Sequence, residues 1–162
     1  MINGIDISLK NQIIYHGSNV EVMKPKIIKG RFTKDFGYGF YCTVKKEQAK
    51  RWSLRSECGI VSKYKFNLAK DLNIKIFDKM TEEWLDFIVK CRNGETHKYD
   101  IVEGPMADDQ IYNYITQFIQ GIINREQFWI MIKFNYPTHQ ICFCSEKSLS
   151  TLEYIGCDYY DE

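Results

Sequence analysis

Ile60, Tyr64, Phe66 and Leu68 share one parity while Lys63, Lys65 and Asn67 share the other, a two-residue period that predicts a strand with one wet face. Upstream, the apolar run Ile13-Ile14-Tyr15 predicts a first strand that delivers a His16-Gly17-Ser18 turn. A long basic loop over residues 20–36 then leads to a second strand over 38–43. Thr43 is placed to cap a helix in which Ala49, Trp52 and Leu54 recur at near-helical spacing among Lys45, Lys46, Glu47, Lys50 and Arg51. A short strand over 73–77 precedes Thr81-Glu82-Glu83, which opens a helix with Trp84, Leu85, Phe87 and Ile88 on its apolar face. Residues 99–105 predict a strand ended by the Gly104-Pro105 break. Ala107-Asp108-Asp109 then starts a helix through Ile111, Tyr114, Ile115, Phe118 and Ile122, with acids at its positive end. A helix over 125–134 stops before Tyr136-Pro137, followed by a strand over 139–144, a short helix over 146–152 and a last strand over 152–155. The elements intermix without a βαβ rhythm, so the expected class is α+β, with split mixed or antiparallel sheets and flanking helices.

Composition narrows this picture without changing it. A chain of 162 residues suits one domain with a real core, and 27% charged with 44% hydrophobic residues is a globular balance. A formal net charge of +1 gives no overall electrostatic footprint for nucleic acid or a membrane surface. The run from Lys24 to Lys34 is locally basic, either a solvated loop or a face for an anion. Six cysteines are scattered with no Cys-x-x-Cys pair, so neither a zinc site nor a disulfide framework is expected. No basic segment followed by an apolar stretch opens the chain and no apolar run is long enough to span a bilayer; a cytoplasmic protein with reduced thiols is the expectation.

The chemistry-bearing residues are few. His16, after a strand and before Gly-Ser, can bond a ribose hydroxyl or satisfy a buried carbonyl. Tyr41 and Trp52 can stack on a flat heterocycle or pack in a core. Gly17, Gly37 and Gly39 suit a crevice that backbone must approach closely. Asp100, Glu103, Asp108 and Asp109 cluster about a strand-to-helix turn, readable as a general-base site, a cation site or charges at a helix start, the last being the simplest. There is no Gly-x-Ser-x-Gly elbow, P-loop or Gly-x-Gly-x-x-Gly, which leaves hydrolase and kinase readings weak.

Taken together, Tyr15-His16-Gly17-Ser18, Asp35-Phe36-Gly37-Tyr38-Gly39-Phe40-Tyr41-Cys42-Thr43 and Gln140-Ile141-Cys142-Phe143 resemble the ADP-ribosyltransferase superfamily. More narrowly they are similar to its histidine-tyrosine-glutamate branch, which includes diphtheria toxin and the poly(ADP-ribose) polymerases. With Tyr99-Asp100-Ile101-Val102 and Gly104-Pro105-Met106-Ala107-Asp108-Asp109, the chain also looks like an uncharacterised bacterial family of that clan, whose members resemble toxins of toxin–antitoxin or phage-conflict systems.

The resemblance implies NAD⁺ as co-substrate, a macromolecular acceptor of ADP-ribose and a small antitoxin partner. His16 would hold a ribose and Gly17 the nicotinamide amide, with Ser18 adjoining. Tyr41 and Trp52 would flank the ring; charge on the basic loop, not the resemblance, assigns Arg31 to the pyrophosphate. The chain departs from the pattern at Gln140, where the polymerases carry a glutamate that supports the positive charge of an oxocarbenium-like transition state. Gln140 can accept a ribose hydrogen bond but carries no charge. Turnover on Gln140 alone, a carboxylate supplied by Glu146, Asp108 or Asp109, and a silent NAD-binding or partner-binding module all follow as readings.

Overall fold

The computed structural model describes residues 12–30, 34–107, 109–135 and 138–160. The fold is α+β and places two sheets side by side. An antiparallel sheet orders β1 (Ile13–Ser18), β3 (Gly59–Phe66) and β7 (Leu152–Tyr160) as β1-β3-β7. A mixed sheet orders β2 (Phe40–Cys42), β6 (Thr138–Phe143), β5 (Ile101–Met106) and β4 (Ile74–Ile76) as β2-β6-β5-β4, with only β4 and β5 parallel. Among the described residues a single bridge joins the sheets: Tyr15 N–H donates to Thr43 O at 2.8 Å and Thr43 N–H returns to Tyr15 O at 2.9 Å.

The pleat of the mixed sheet divides its residues between two cores. Phe40, Cys42, Ile101, Ile141 and Phe143 face the antiparallel sheet and meet Ile14, Tyr64 and Phe66. On the opposite face, Val102 and Cys142 lie under α2 (Glu82–Arg92), α3 (Asp109–Ile119) and α4 (Arg125–Ile132), which contribute Trp84, Leu85, Ile88, Ile111, Ile115 and Phe128. Fully burying a side chain of this size contributes roughly 1.5–3 kcal/mol. Helix α2 forms where the apolar stripe predicts it. Thr81 Oγ1 accepts from Trp84 N–H at 3.3 Å, acids fill the first turn, and Lys90 and Arg92 sit in the last. At α4, Asn124 and Gln127 form a reciprocal capping box. No helix among the described residues is long and apolar enough to cross a membrane.

Several boundaries differ from the sequence expectation, each for a local reason. His16-Gly17-Ser18 is not a turn but the second half of β1, paired with Ser62, Val61 and Ile60 of β3. In β3 the wet face exists only from Lys63 onward. At Ile60, Val61 and Ser62 both faces are buried, because α1 (Lys46–Ser53) packs across β1 and β3. Gly17 permits that approach: a Cβ there would lie 2.0 Å from Ala49 O of α1. The helix begins at Lys46 with Lys45 as cap residue, and Thr43 Oγ1 accepts from Lys45 N–H at 3.1 Å instead of capping the helix itself. β5 runs through Gly104 and Pro105 because β4 pairs only with residues 101–103, so no strand on that side asks Pro105 for a donor. β7 continues past Ile155 to Tyr160, carried by Gly156 at φ +136° where the register with β3 slips.

Candidate functional site

The two sheets part just beyond the Tyr15–Thr43 bridge. The chain leaves β6 after Cys42, and opposite His139 the place of a strand is taken by the Gln48 side chain of α1. Its Oε1 accepts from His139 N–H at 3.0 Å and its Nε2 donates to His139 O. The gap between β1 and β6 is a cavity of about 450 Å³ lined by His16, Gly17, Tyr41, Trp52 and Gln140. These five residues span more than a hundred positions of sequence, and the fold brings all of them to one wall or another of the same space.

Gly17 presents backbone to this gap. Tyr15 turns its N–H and C=O towards Thr43, and alternate residues of a strand turn theirs to the same side. Gly17 therefore aims one donor and one acceptor away from β3, on the side of Tyr41, and among the described residues no strand pairs with them. A carboxamide matches that pattern atom for atom.

His16 stacks on Phe40 with ring centroids 4.2 Å apart, and its Nδ1 lies 2.7 Å from Tyr41 O. A carbonyl only accepts, so Nδ1 carries the proton and Nε2 of the neutral ring keeps a lone pair. Burial lowers the His16 pKa, the Tyr41 carbonyl opposes the shift, and the Lys34 ammonium reinforces it. The buried-carbonyl role and a ligand-bonding role are thus compatible on one ring.

Tyr41 fixes the glycine loop. Its hydroxyl donates to Gly37 O at 2.5 Å and accepts from Phe36 N–H at 3.1 Å, and burial holds its pKa well above the ordinary phenol value. Gly37 makes the loop possible, with φ +82° in a region that favours glycine. The ring packs in part against the helix-side core, and Lys34 Nζ lies 5.0 Å from its centroid. Trp52 is half-buried and belongs to neither core cluster, unlike Trp84 and Trp129. Gln140 is 1% exposed, and among the described residues its Nε2 has no hydrogen-bond partner. Leaving a buried amide donor unmade costs roughly 1–3 kcal/mol, which marks the position as one that a ligand would satisfy.

Four further lining residues carry charge or a ring that sequence reasoning did not assign to a site: Lys34, Asp35, Arg55 and Tyr112. Asp35 is the only carboxylate on the cavity wall among the described residues, and it is engaged. Its Oδ1 accepts from Arg92 Nε at 3.0 Å and Nη2 at 2.5 Å, while its Oδ2 accepts from Ala107 N–H at 3.3 Å. Asp35 stood in the glycine-rich motif, yet nothing in the sequence linked it to Arg92, 57 residues away. The Arg92 guanidinium also covers the Tyr112 ring at 4.0 Å.

The remaining predicted residues fall around this centre. Ser18 lines an adjoining cavity of about 480 Å³ that shares His16, Lys34 and Tyr41 and adds Lys24 and Lys26; its Oγ donates to Val20 O at 2.7 Å. Lys24, Lys26 and Lys34 of the basic run thus face a cavity. Asp109 lies on the other side, exposed in the first turn of α3 and 3.5 Å from Arg55 Nη2. Glu146 lines a different cavity behind the glycine loop. Arg31 and Asp108 lie outside the described residues.

The helix-start reading of the acids holds for Asp109 but is corrected for Asp100 and Glu103. Asp100 accepts from Asn73 N–H at 2.8 Å and Ser145 Oγ at 2.6 Å, tying β4 to α5 (Glu146–Leu149). Glu103 is buried on β5 with its Oε1 2.8 Å from His139 Nε2, and His139 Nδ1 is 3.3 Å from Thr43 Oγ1. This chain of polar groups, invisible in the sequence, locks β5, β6 and the end of β2 together on the face opposite Gln140.

No curated protein and no solved structure matches the chain. The model of the family described as "Protein of unknown function (DUF3990)" matches residues 12–154, a span that contains every residue of the cavity wall, and the chain belongs to that family.

Proposed function

We propose that the cavity binds NAD⁺ and that the chain is a mono-ADP-ribosyltransferase that passes ADP-ribose to a macromolecule. The observation that carries this reading is the convergence of His16, Gly17, Tyr41, Trp52 and Gln140 on one cavity. The outward donor and acceptor of Gly17 would pair with the nicotinamide carboxamide, with Tyr41 and Trp52 flanking the ring. His16 Nε2 would accept from a ribose hydroxyl, and the Gln140 amide would bond the second ribose. The two adjoining cavities share His16, Lys34 and Tyr41, which suits a ligand of two lobes, and Lys24, Lys26 and Lys34 would offset a pyrophosphate.

In the reaction the nicotinamide–ribose bond breaks, nicotinamide leaves, and positive charge develops on the ribose before the acceptor's nucleophile attacks. A buried amide carbonyl stabilises that charge as a dipole and not as an ion. Losing a preorganised electrostatic contribution costs on the order of 3 kcal/mol in such sites, so turnover is slow but present. The biological reading is a bacterial toxin of a toxin–antitoxin or phage-conflict system, acting in the cytoplasm and neutralised by a small protein partner.

One observation favours a second reading, a silent NAD-binding module: the only carboxylate on the wall among the described residues, Asp35, is held by Arg92. Release of nicotinamide from NAD⁺, with cell lysate as acceptor, separates the two. Transfer predicts release by the wild-type chain that is lost in Tyr41→Ala and Gln140→Ala. Binding without release supports the silent module, and neither binding nor release removes both.

A further inference from the structure

Behind the glycine loop, on the side away from the nucleotide cavity, β6 ends in a pair of thiols. Cys142 and Cys144 point to the same face of the strand, and their Sγ atoms are 3.1 Å apart. Cys142 is fully buried, whereas Cys144 is partly exposed on a cavity of about 660 Å³ whose wall includes His97, Cys91 and Glu146. Cys144 lies one residue past the end of β6, its N–H held by Asp100 O at 2.7 Å as the chain turns towards α5.

The environments of the two sulfurs differ. The hydrogen bond between the two sulfurs, with His97 adding to it, outweighs burial and lowers the Cys144 pKa to about 6; burial holds the proton on Cys142. An accessible thiolate therefore sits against a protonated, inaccessible thiol.

We propose that Cys144 is a peroxide-reactive modification site and that Cys142 resolves it to a disulfide. The Cys144 thiolate attacks one oxygen of hydrogen peroxide, the O–O bond breaks, and hydroxide leaves a sulfenic acid on Cys144. The Cys142 sulfur then attacks that sulfur, the S–O bond breaks, and water departs with the Cys142 proton. Two thiols have given two electrons to peroxide, and the product is a Cys142–Cys144 bridge. Residues two apart on a strand lie near the outer limit of disulfide geometry, so the bridge is strained and readily reversed by thiols.

The second cysteine also touches the nucleotide loop. A Cβ on Gly39 would lie 2.3 Å from Cys142 Sγ, and Cys142 Sγ lies 3.9 Å from Tyr38 O of the loop. Bridge formation draws that sulfur away from the loop under Tyr41. This last consequence rests on the NAD⁺ reading, whereas the thiol chemistry does not.

The test treats the reduced full chain with hydrogen peroxide, alkylates the remaining thiols and maps all six cysteines by mass spectrometry. Cys58, the exposed thiol, is the comparator within the same molecules. The expected result is a Cys142–Cys144 bridge, reversed by dithiothreitol and formed at least tenfold faster than Cys58 is oxidised. Cys142→Ser should accumulate a Cys144 sulfenic acid trapped by dimedone, and Cys144→Ser should leave Cys142 reduced. Oxidation of Cys144 no faster than Cys58 overturns the proposal. A sulfenic acid on wild-type Cys144 that never becomes a bridge overturns the role of Cys142. Both overturning results are read on the wild-type chain, so neither depends on how a variant folds or on NAD⁺.

Discussion

His139 and Gln140 are neighbours on β6, yet the pleat sends them to opposite faces and into opposite circumstances. His139 has every ring and backbone group engaged, by Glu103, Thr43 and Gln48. Gln140, further removed from water than the part-exposed His139, keeps an amide donor with no partner among the described residues. Folded proteins satisfy nearly all their buried polar groups, and the exceptions collect where a ligand completes them. The satisfied face therefore belongs to the stability of the fold, and under the proposed function the unsatisfied one meets the ligand. The same comparison locates the carboxylates: Glu103 holds strands together and Asp35 holds a loop, while the position over the cavity is neutral.

Substitutions should separate the two faces. The largest effect is expected at the Asp35–Arg92 pair, whose side chains are each 8% exposed; Asp35→Ala removes the two bonds that Asp35 accepts from a buried guanidinium and should lower unfolding free energy by about 3–5 kcal/mol in urea titrations. Next, Glu103→Ala strips His139 Nε2 of its carboxylate partner and should cost about 2 kcal/mol by the same measurement. Gln140→Leu should do the reverse. Replacing an unsatisfied amide by an apolar group of similar size should leave stability within about 1 kcal/mol of wild type, or raise it, while abolishing any response to NAD⁺. If Gln140→Leu destabilises as Glu103→Ala does, the two faces are not different in kind.

Trp52→Ala should cost under about 1 kcal/mol of stability, since the ring lies outside both cores, yet weaken NAD⁺ by several-fold through lost stacking of about 1 kcal/mol, measured by calorimetry. The smallest effect is expected from His16. Its folded-state pKa lies below the unfolded value of 6.5, so the unfolded chain takes up the proton first as pH falls. The contribution of His16 is complete above about pH 6.5 and is lost as pH drops from there towards the folded pKa. Comparing wild type with His16→Gln in urea at pH 7.5 and 5.5 should show a steeper loss in the wild type.

The sequence carried much of this because local patterns encode local structure. Thr81, the acids after it and the stripe from Trp84 to Ile88 specified α2. What escaped was decided by partners distant in sequence. The His16-Gly17-Ser18 segment became strand because β3 pairs with it, and Ile60 to Ser62 lost their wet face because α1 covers it. Pro105 stayed in a strand because β4 ends short of it. At the cavity, the aromatic and glycine positions were legible from spacing and resemblance. The charged ones were not: Asp35 with Arg92, and Glu103 with His139, are pairings that only the fold creates.

The most direct test is the thermal unfolding of the wild-type chain and of Gln140→Leu with and without NAD⁺. A ligand bound to the native state at tenfold excess over its Kd adds about 1.4 kcal/mol, a rise of about 3–6 °C for a domain of this size. The account predicts that rise in the wild type and none in Gln140→Leu, whose own midpoint is at least as high without ligand. A wild-type chain whose midpoint does not move at millimolar NAD⁺, or a Gln140→Leu variant that responds fully, would contradict it.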